Sequence, residues 1–321
     1  MKDKISNIIN HLDIQGSILK SQVHDDFNLD MENLKEDQFK IQLSDHLYRN
    51  YYCRNQSQHH NKSYNSLPKE EFILSLKALI GESVIEFSEG WQVMEKDPMG
   101  NVHVEKGFFK NIFAAGQYLN HSFSSPIQPG SLVKKATTSI THDHNDYFIY
   151  FHGKSPGEYI NNFMVRYYFN TDAYGALQII TPLINALNVH QLPFEMKCPA
   201  DPASFDRIDS IVLYLNKRYV PYFMDILNQL YPSILDHLES GTPLFTRKIF
   251  PGIGFGESPP KNSTSFGMSR CDILSQVFYE CIQSKQPKTL WLDAVLNHIR
   301  QLGFDTDHFY LNPYNHYAYD F

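Results

Sequence analysis

Cysteine is scarce: four in 321 residues, Cys53, Cys198, Cys271 and Cys281. No two of them form a CxxC or CxxH pair, so neither a disulfide framework nor a zinc knuckle is expected. A reduced intracellular chain fits that usage. Tryptophan is scarcer, with two residues. No apolar run approaches the roughly 18–20 residues that a membrane span needs. The N-terminus, MKDKISNIINHLDIQG, lacks the apolar block of a secretory signal. Positive excess is absent too: 28 Lys+Arg against 35 Asp+Glu leave a net charge of −7, which argues against generic nucleic-acid binding. Gly252-x-Gly254-x-Gly256 follows Pro251 and leads into Pro259-Pro260 instead of a helix, so it lacks the strand–loop–helix context of a nucleotide site.

What the chain does have is apolar and aromatic mass. Hydrophobic residues make up 42%, with 23 Phe and 20 Tyr, enough to bury a sizeable core, and 321 residues suffice for one large domain or two ordinary ones. The first eighty residues read as an acidic helical lead-in. Phe39 to Tyr51 recur at helical spacing, and Glu70 to Ile80 repeat the pattern up to Gly81. From Val84 the pattern changes to strands. Val84–Phe87 and Trp91–Met94, then Val102–Val104, flank the turn Asp97-Pro98-Met99-Gly100, a hairpin signal. Leu132–Thr141 and Tyr147–Phe151 read as further strands.

The second half reads as strand Phe163–Phe169, a helix capped by Thr171 or Asp172 with Pro182 inside it, strand Phe194–Cys198 and strand Ile211–Leu215. A helix over 222–238, a Gly/Pro loop over 242–266 and helices near 268–283 and 289–303 complete it. The expected fold class is α+β: a helical and hairpin part over 1–150 packed, as one body, on a C-terminal mixed sheet with flanking helices over 151–321.

Cations sit unusually on those strands. Arg166 is mid-strand, Lys197 near a strand end and Arg207 just before the third strand, while Arg247-Lys248 and Arg270 flank the Gly/Pro loop. Charges among aromatic and aliphatic residues are unfavourable unless an anion meets them. Ion pairs with Glu195, Asp201, Asp206, Asp209 and Glu257 are the structural reading. A phosphate site is the functional one, since guanidinium forks bind tetrahedral anions bidentately. Ten Lys+Arg balance ten Asp+Glu over 151–270, so a local anion site is permitted. His142-Asp143-His144 offers two imidazoles but no third ligand nearby, and no metal is assigned.

Several strings resemble one family in register. They include His46–Arg54, Ser155-Pro156-Gly157-Glu158-Tyr159, Met164–Asn170, Leu192–Lys197, Asp201–Asp209, Ile211–Tyr214, Leu244–Gly254, Ser265–Cys271 and Tyr310–Pro313. They resemble the HopA-type effectors of plant pathogens. That resemblance implies a type III effector family with relatives acting as lyase components of class V lanthipeptide synthesis: standalone phosphoserine/phosphothreonine lyases, working on a precursor peptide phosphorylated by a separate kinase. The strand–helix–strand–strand order is also similar to the phosphothreonine lyases of enteric pathogens. Arg166 and Tyr168 stand where those carry Lys and His, Lys197 matches their second Lys, and Tyr214 their late Tyr.

Eliminating phosphate requires a base for the Cα proton, cations for the leaving phosphate and donors for enolate-like charge. Lys197 is the candidate base, its pKa lowered by Arg166 and Arg207 if they lie close. Tyr168 and Tyr214 are candidate donors. Arg166, Arg207, Arg247, Lys248 and Arg270 are candidate phosphate ligands, with Ser265 as a hydrogen-bond donor. No cofactor is expected. The expected partners are a phosphorylated Ser/Thr precursor peptide, a separate kinase and a cyclase, with no nucleic acid and no membrane. The expected location is the bacterial cytoplasm, with export as an effector the alternative. A non-catalytic effector-type or peptide-binding protein is the competing functional reading.

Overall fold

The computed structural model describes residues 1–54, 67–79, 85–107, 109–121, 125–138, 141–153, 163–259, 264–315 and 317–321. Helix α1 (Lys2–His11) buries Ile5, Ile8 and Ile9. A three-stranded antiparallel meander follows: β1 (Leu12–Gln15), β2 (Ile18–Ser21) and β3 (Asn28–Asp30). Helix α2 (Glu36–Leu47) runs into a π-helical turn over Tyr48–Tyr52, and α3 (Lys69–Ala78) comes next. Strands β4 (Ile85–Lys96), β5 (Val102–Lys106), β6 (Phe109–Phe113), β7 (Tyr118–Asn120) and β8 (Leu132–Thr138) form a second antiparallel sheet in the order β6-β5-β4-β8-β7. The expected hairpin is its β4–β5 pair, whose turn is held by the Asp97 carboxylate accepting from Asn101 N at 2.8 Å. Val84, Ile80, Gly81 and the Ser155–Tyr159 string lie outside the described residues, as do the side chains of His142 and Asp143.

The third sheet has seven antiparallel strands. In chain order its elements are β9 (Thr141–His144), β10 (Phe148–His152), β11 (Met164–Phe169), α4 (Ala173–Val189), β12 (Glu195–Pro199), β13 (Ile211–Asn216), α5 (Val220–Ile234), β14 (Arg247–Phe250) and β15 (Ile253–Glu257). Their spatial order is β14-β15-β11-β13-β12-β10-β9. Helices α6 (Phe266–Gln283) and α7 (Trp291–Gln301) follow. Asp172 caps α4 by accepting from Gly175 N at 2.7 Å, as expected, and α4 continues through Pro182. Alternation along β11 separates two faces. Tyr167 packs on Phe223 of α5 at 4.6 Å, whereas Tyr168 meets Tyr52 and Phe266 on the opposite face.

The fold is α+β. The C-terminal sheet is antiparallel throughout, not mixed as expected: β13 inserts between β11 and β12, so the two strands joined by α4, which run the same way, are never neighbours. Two segments also differ from the sequence-based expectation. Residues 12–30 form the meander instead of helix, because strands of three or four residues are too short to display alternation. The 242–266 loop contains the β14–β15 hairpin, whose turn carries Gly252 at φ +82°. Glycine at two of the five positions of β15 reads as loop, yet those positions lack a side chain for a packing reason: a Cβ on Gly256 would stand 2.9 Å from the Phe266 ring. Gly267 likewise lets α6 rest on Tyr52, whose ring a Cβ there would meet at 2.4 Å.

One hydrophobic core joins α1–α3 to the seven-stranded sheet and α4–α7. The five-stranded sheet keeps a small core of its own around Val93, Val102, Val104, Phe113 and Val133. All four cysteines are buried and unpaired, and burial pushes their thiols up.

Candidate functional site

Strand register assembles the site. Gly256, Arg166, Tyr214, Glu195 and His152 lie opposite one another across β15, β11, β13, β12 and β10. The next row on the same face runs Lys248, Gly254, Tyr168, Val212, Lys197 and Tyr150. Arg166, Tyr214, Tyr168 and Lys197 therefore share one face in two neighbouring rows, with about 10 Å spanning two strand spacings.

Arg166 is buried, 8% exposed, and donates from Nε to Ser258 Oγ at 2.9 Å. Its guanidinium lies 5.1 Å from the Tyr214 ring centre. Burial opposes its charge, but the Tyr168 and Tyr214 phenols outweigh burial and raise its pKa. No carboxylate reaches it within ion-pair distance among the described residues. Tyr168 is enclosed beside Arg166 and Tyr52, yet its hydroxyl makes no hydrogen bond of ordinary geometry. Burial pushes both Tyr168 and Tyr214 up to about 12, so near neutral pH each is a phenol that can donate a proton or hydrogen bond.

Lys197 is half-buried, its ammonium 4.5 Å from the Phe148 ring centre. Among the described residues it too has no carboxylate partner. Its pKa lies below the ordinary lysine value, chiefly through burial. Arg166 and Arg207 push the same way, while Asp209 and Tyr150 oppose them. Desolvation leads, and like-charge repulsion is the smaller contribution.

Arg207 follows the ion-pair reading. Its Nε and one terminal nitrogen each donate to Asp209 at 2.8 Å, and the latter also donates to Tyr48 Oη at 3.0 Å. Burial opposes its charge, and the Asp209 carboxylate more than offsets that, raising its pKa. The π-helical turn delivers two rings here: Tyr48 and Tyr52 stack at 5.2 Å, and Tyr52 meets Tyr168 edge-on at 6.5 Å. Such turns widen a helix locally and often occur at functional sites.

The remaining candidates are placed differently. Arg270 is 2% exposed and donates to Phe309 O at 3.0 Å, Leu311 O at 2.8 Å and Ser269 Oγ at 3.1 Å. Burial lowers its pKa to about 10, so it stays charged near neutrality. Ser265 caps α6, its Oγ accepting from Met268 N at 3.1 Å. Arg247 is exposed and lies opposite Phe255 in the Tyr167 row, on the other face of the sheet. Lys248 shares the Tyr168 row but is exposed on edge strand β14.

Register also brings in Tyr150 and His152, and tertiary packing adds Tyr48, Tyr52 and Ser258; of these, the sequence reading weighs only His152, as added positive charge. The string around Tyr48 and Tyr52 was noted for its resemblance, but only tertiary packing places those rings beside β11. Among the described residues, no group of three or more His, Cys, Asp or Glu side chains is placed to hold a metal ion, and no helix is long and apolar enough to cross a membrane.

The fold is similar to a solved effector protein from Pseudomonas syringae pv. tomato strain DC3000, with a TM-score of 0.51 and 16% identity over 88% of this chain and 93% of that one. An effector protein from Pseudomonas syringae pv. syringae strain 61 aligns with a TM-score of 0.48 and 12% identity, covering 85% and 90%. No curated protein matches. Residues 141–311, from the start of the seven-stranded sheet to Leu311, match the HopA1 effector protein family. That match spans more than half of the chain, and the chain belongs to this family.

Proposed function

We propose that the protein is a phosphoserine/phosphothreonine lyase, eliminating phosphate from a phosphorylated peptide. The observation that carries the reading is a lysine of lowered pKa on the same sheet face as a buried arginine and two phenols, with neither cation meeting a carboxylate among the described residues. Neutral Lys197 takes the Cα proton, and the electrons of that C–H bond form the Cα–Cβ double bond as the Cβ–O bond breaks. The leaving group departs as inorganic phosphate against Arg166, and Lys197 then returns its proton to water. Tyr168 and Tyr214 donate to the leaving oxygen or to the carbonyl that bears developing charge. The product is dehydroalanine or dehydrobutyrine. A peptide kinase supplies the substrate, and a cyclase uses the product, in a bacterial cytoplasm.

Incubation with a phosphoserine peptide, followed by mass spectrometry, tests this. The expected change is loss of phosphoric acid; release of phosphate with water added indicates hydrolysis instead. Lys197→Ala is expected to lower turnover by roughly 10²–10⁴-fold, the usual range for a general base, with peptide affinity kept. Unchanged turnover would remove Lys197 as the base.

A second reading draws on Arg207 and Arg270, whose charges are already engaged inside the protein. With fewer free cations, the alternative is a non-catalytic effector-type or peptide-binding protein that grips a partner without chemistry. It predicts that the peptide is retained with unchanged mass.

A further inference from the structure

Arg166 is steadied by a segment remote from it in sequence. Ser258 donates from N to Met164 O at 2.9 Å, accepts Arg166 Nε on Oγ at 2.9 Å and accepts Asn312 Nδ2 on its carbonyl at 2.6 Å. The neighbouring Glu257 is 4% exposed. Its carboxylate accepts from Asn312 N at 2.7 Å, Asn315 Nδ2 at 2.8 Å and Tyr319 Oη at 2.5 Å, and its own N donates to Tyr310 O at 2.8 Å. Arg270, on α6, spends two donors on the carbonyls of Phe309 and Leu311. The described residues of the 309–319 segment contain neither helix nor strand.

Two buried side chains of opposite charge thus commit their hydrogen bonds to one irregular segment. Burial of charge is unfavourable, and apolar contacts fasten a loop with less desolvation. What the polar arrangement adds is direction, because Asn312 bridges Glu257 and Ser258 and thereby fixes the hydroxyl that receives Arg166. With Nε held, the two terminal nitrogens of the guanidinium keep the fork that grips a phosphate bidentately.

We infer that the 309–319 segment is a positioning strap for Arg166, acting through Asn312 and Ser258. This rests on the phosphate-binding role of Arg166 proposed above. The test uses the full chain, with the Nε–Hε resonance of Arg166 read by NMR, assigned through its loss in Arg166→Lys, and phosphoserine-peptide affinity read by calorimetry. In Ser258→Ala and Asn312→Ala the resonance is expected to shift or lose exchange protection, with affinity reduced about tenfold; misplacement by an ångström is worth up to about 10²-fold. Ser258→Thr, which keeps the hydroxyl, retains both signals. Tyr319→Phe removes a single hydroxyl from the strap, and a smaller shift in the same direction is expected should Asn312→Ala not fold. An Arg166 resonance unmoved in the folded strap variants overturns the inference. A resonance that moves in a protein without phosphopeptide affinity supports the strap and removes the phosphate reading instead.

Discussion

Arg207 and Asp209 show how a neighbour's charge state can decide what Lys197 does. Asp209 is the strongest electrostatic influence holding the proton on Lys197, and it is tied up bidentately by Arg207. Replacing Arg207 with Gln removes a cation that repels Lys197 and frees a carboxylate that attracts its proton. Both effects act in one direction, so the Lys197 pKa rises. Because the neutral amine is the active form, turnover increases with pH through that pKa. The alkaline-going limb of the pH–rate profile is therefore expected at higher pH in Arg207→Gln than in the wild type, as steady-state kinetics across pH will report. A profile left in place would separate the Arg207–Asp209 pair from the base. Part of this was legible in the sequence. Arg166 and Lys197 stand out as cations within strands of aromatic and β-branched residues, and Asp209 lies two residues from Arg207. The roles of Arg270 and Ser258 were not legible, since their partners lie 39 to 92 residues away and depend on tertiary packing.

At the scale of elements, the docking of the N-terminal meander on α2 is an acid-sensitive contact. His46 of α2 stacks on Phe27 at 3.6 Å, and its ring lies 5.3 Å from that of His24. Its Nδ1 faces Asn50 Nδ2 at 3.1 Å, and its Nε2 is buried without a partner. Burial, seconded by His24 and opposed by Asp26, lowers the His46 pKa to about 4 from an ordinary value of 6.5. Between those values the unfolded chain holds the extra proton, so stability falls as pH drops from 6.5 towards 4. The loss attributable to His46 is about 3 kcal/mol. Chemical denaturation at pH 7 and pH 4.5 is expected to show a smaller acid loss in His46→Phe, which keeps the stack on Phe27. An equal loss in the variant would place the acid sensitivity elsewhere. Helix α2 itself was read from its spacing, whereas the meander was not, and the β14–β15 hairpin was hidden by glycines whose reason lies in the Phe266 ring above them.

For the whole molecule, the shared core implies mutual dependence between the N-terminal helices and the family-matched region. Ser44 of α2 donates to Asp272 of α6 at 2.5 Å, and Phe39 meets the Tyr279 ring at 5.4 Å. Removing residues 1–79 would expose that side of α6 together with Tyr168 and Phe266, which Tyr52 covers. At about 25 cal/mol per Å² of apolar surface, a few hundred Å² amounts to several kcal/mol, comparable with the stability of a typical domain. The truncated chain is expected to lose cooperative thermal unfolding, and calorimetry of it beside the full chain will show whether it does. A sharp transition in the truncated chain would mean that the C-terminal half is self-sufficient.

The enclosed, protonated sulfurs carry a last consequence. Cys53, Cys198, Cys271 and Cys281 are at most 3% exposed, and an alkylating or oxidising reagent acts on an accessible thiolate. The cysteine thiols of the native protein should pass between reducing and oxidising surroundings unchanged, and each thiol acquires reactivity only when its own stretch of the interior opens. Cys271 and Cys281 on α6, Cys198 on β12 and Cys53 beside the π-helical turn thus form a built-in set of clocks, timing the breathing of three different parts of one core.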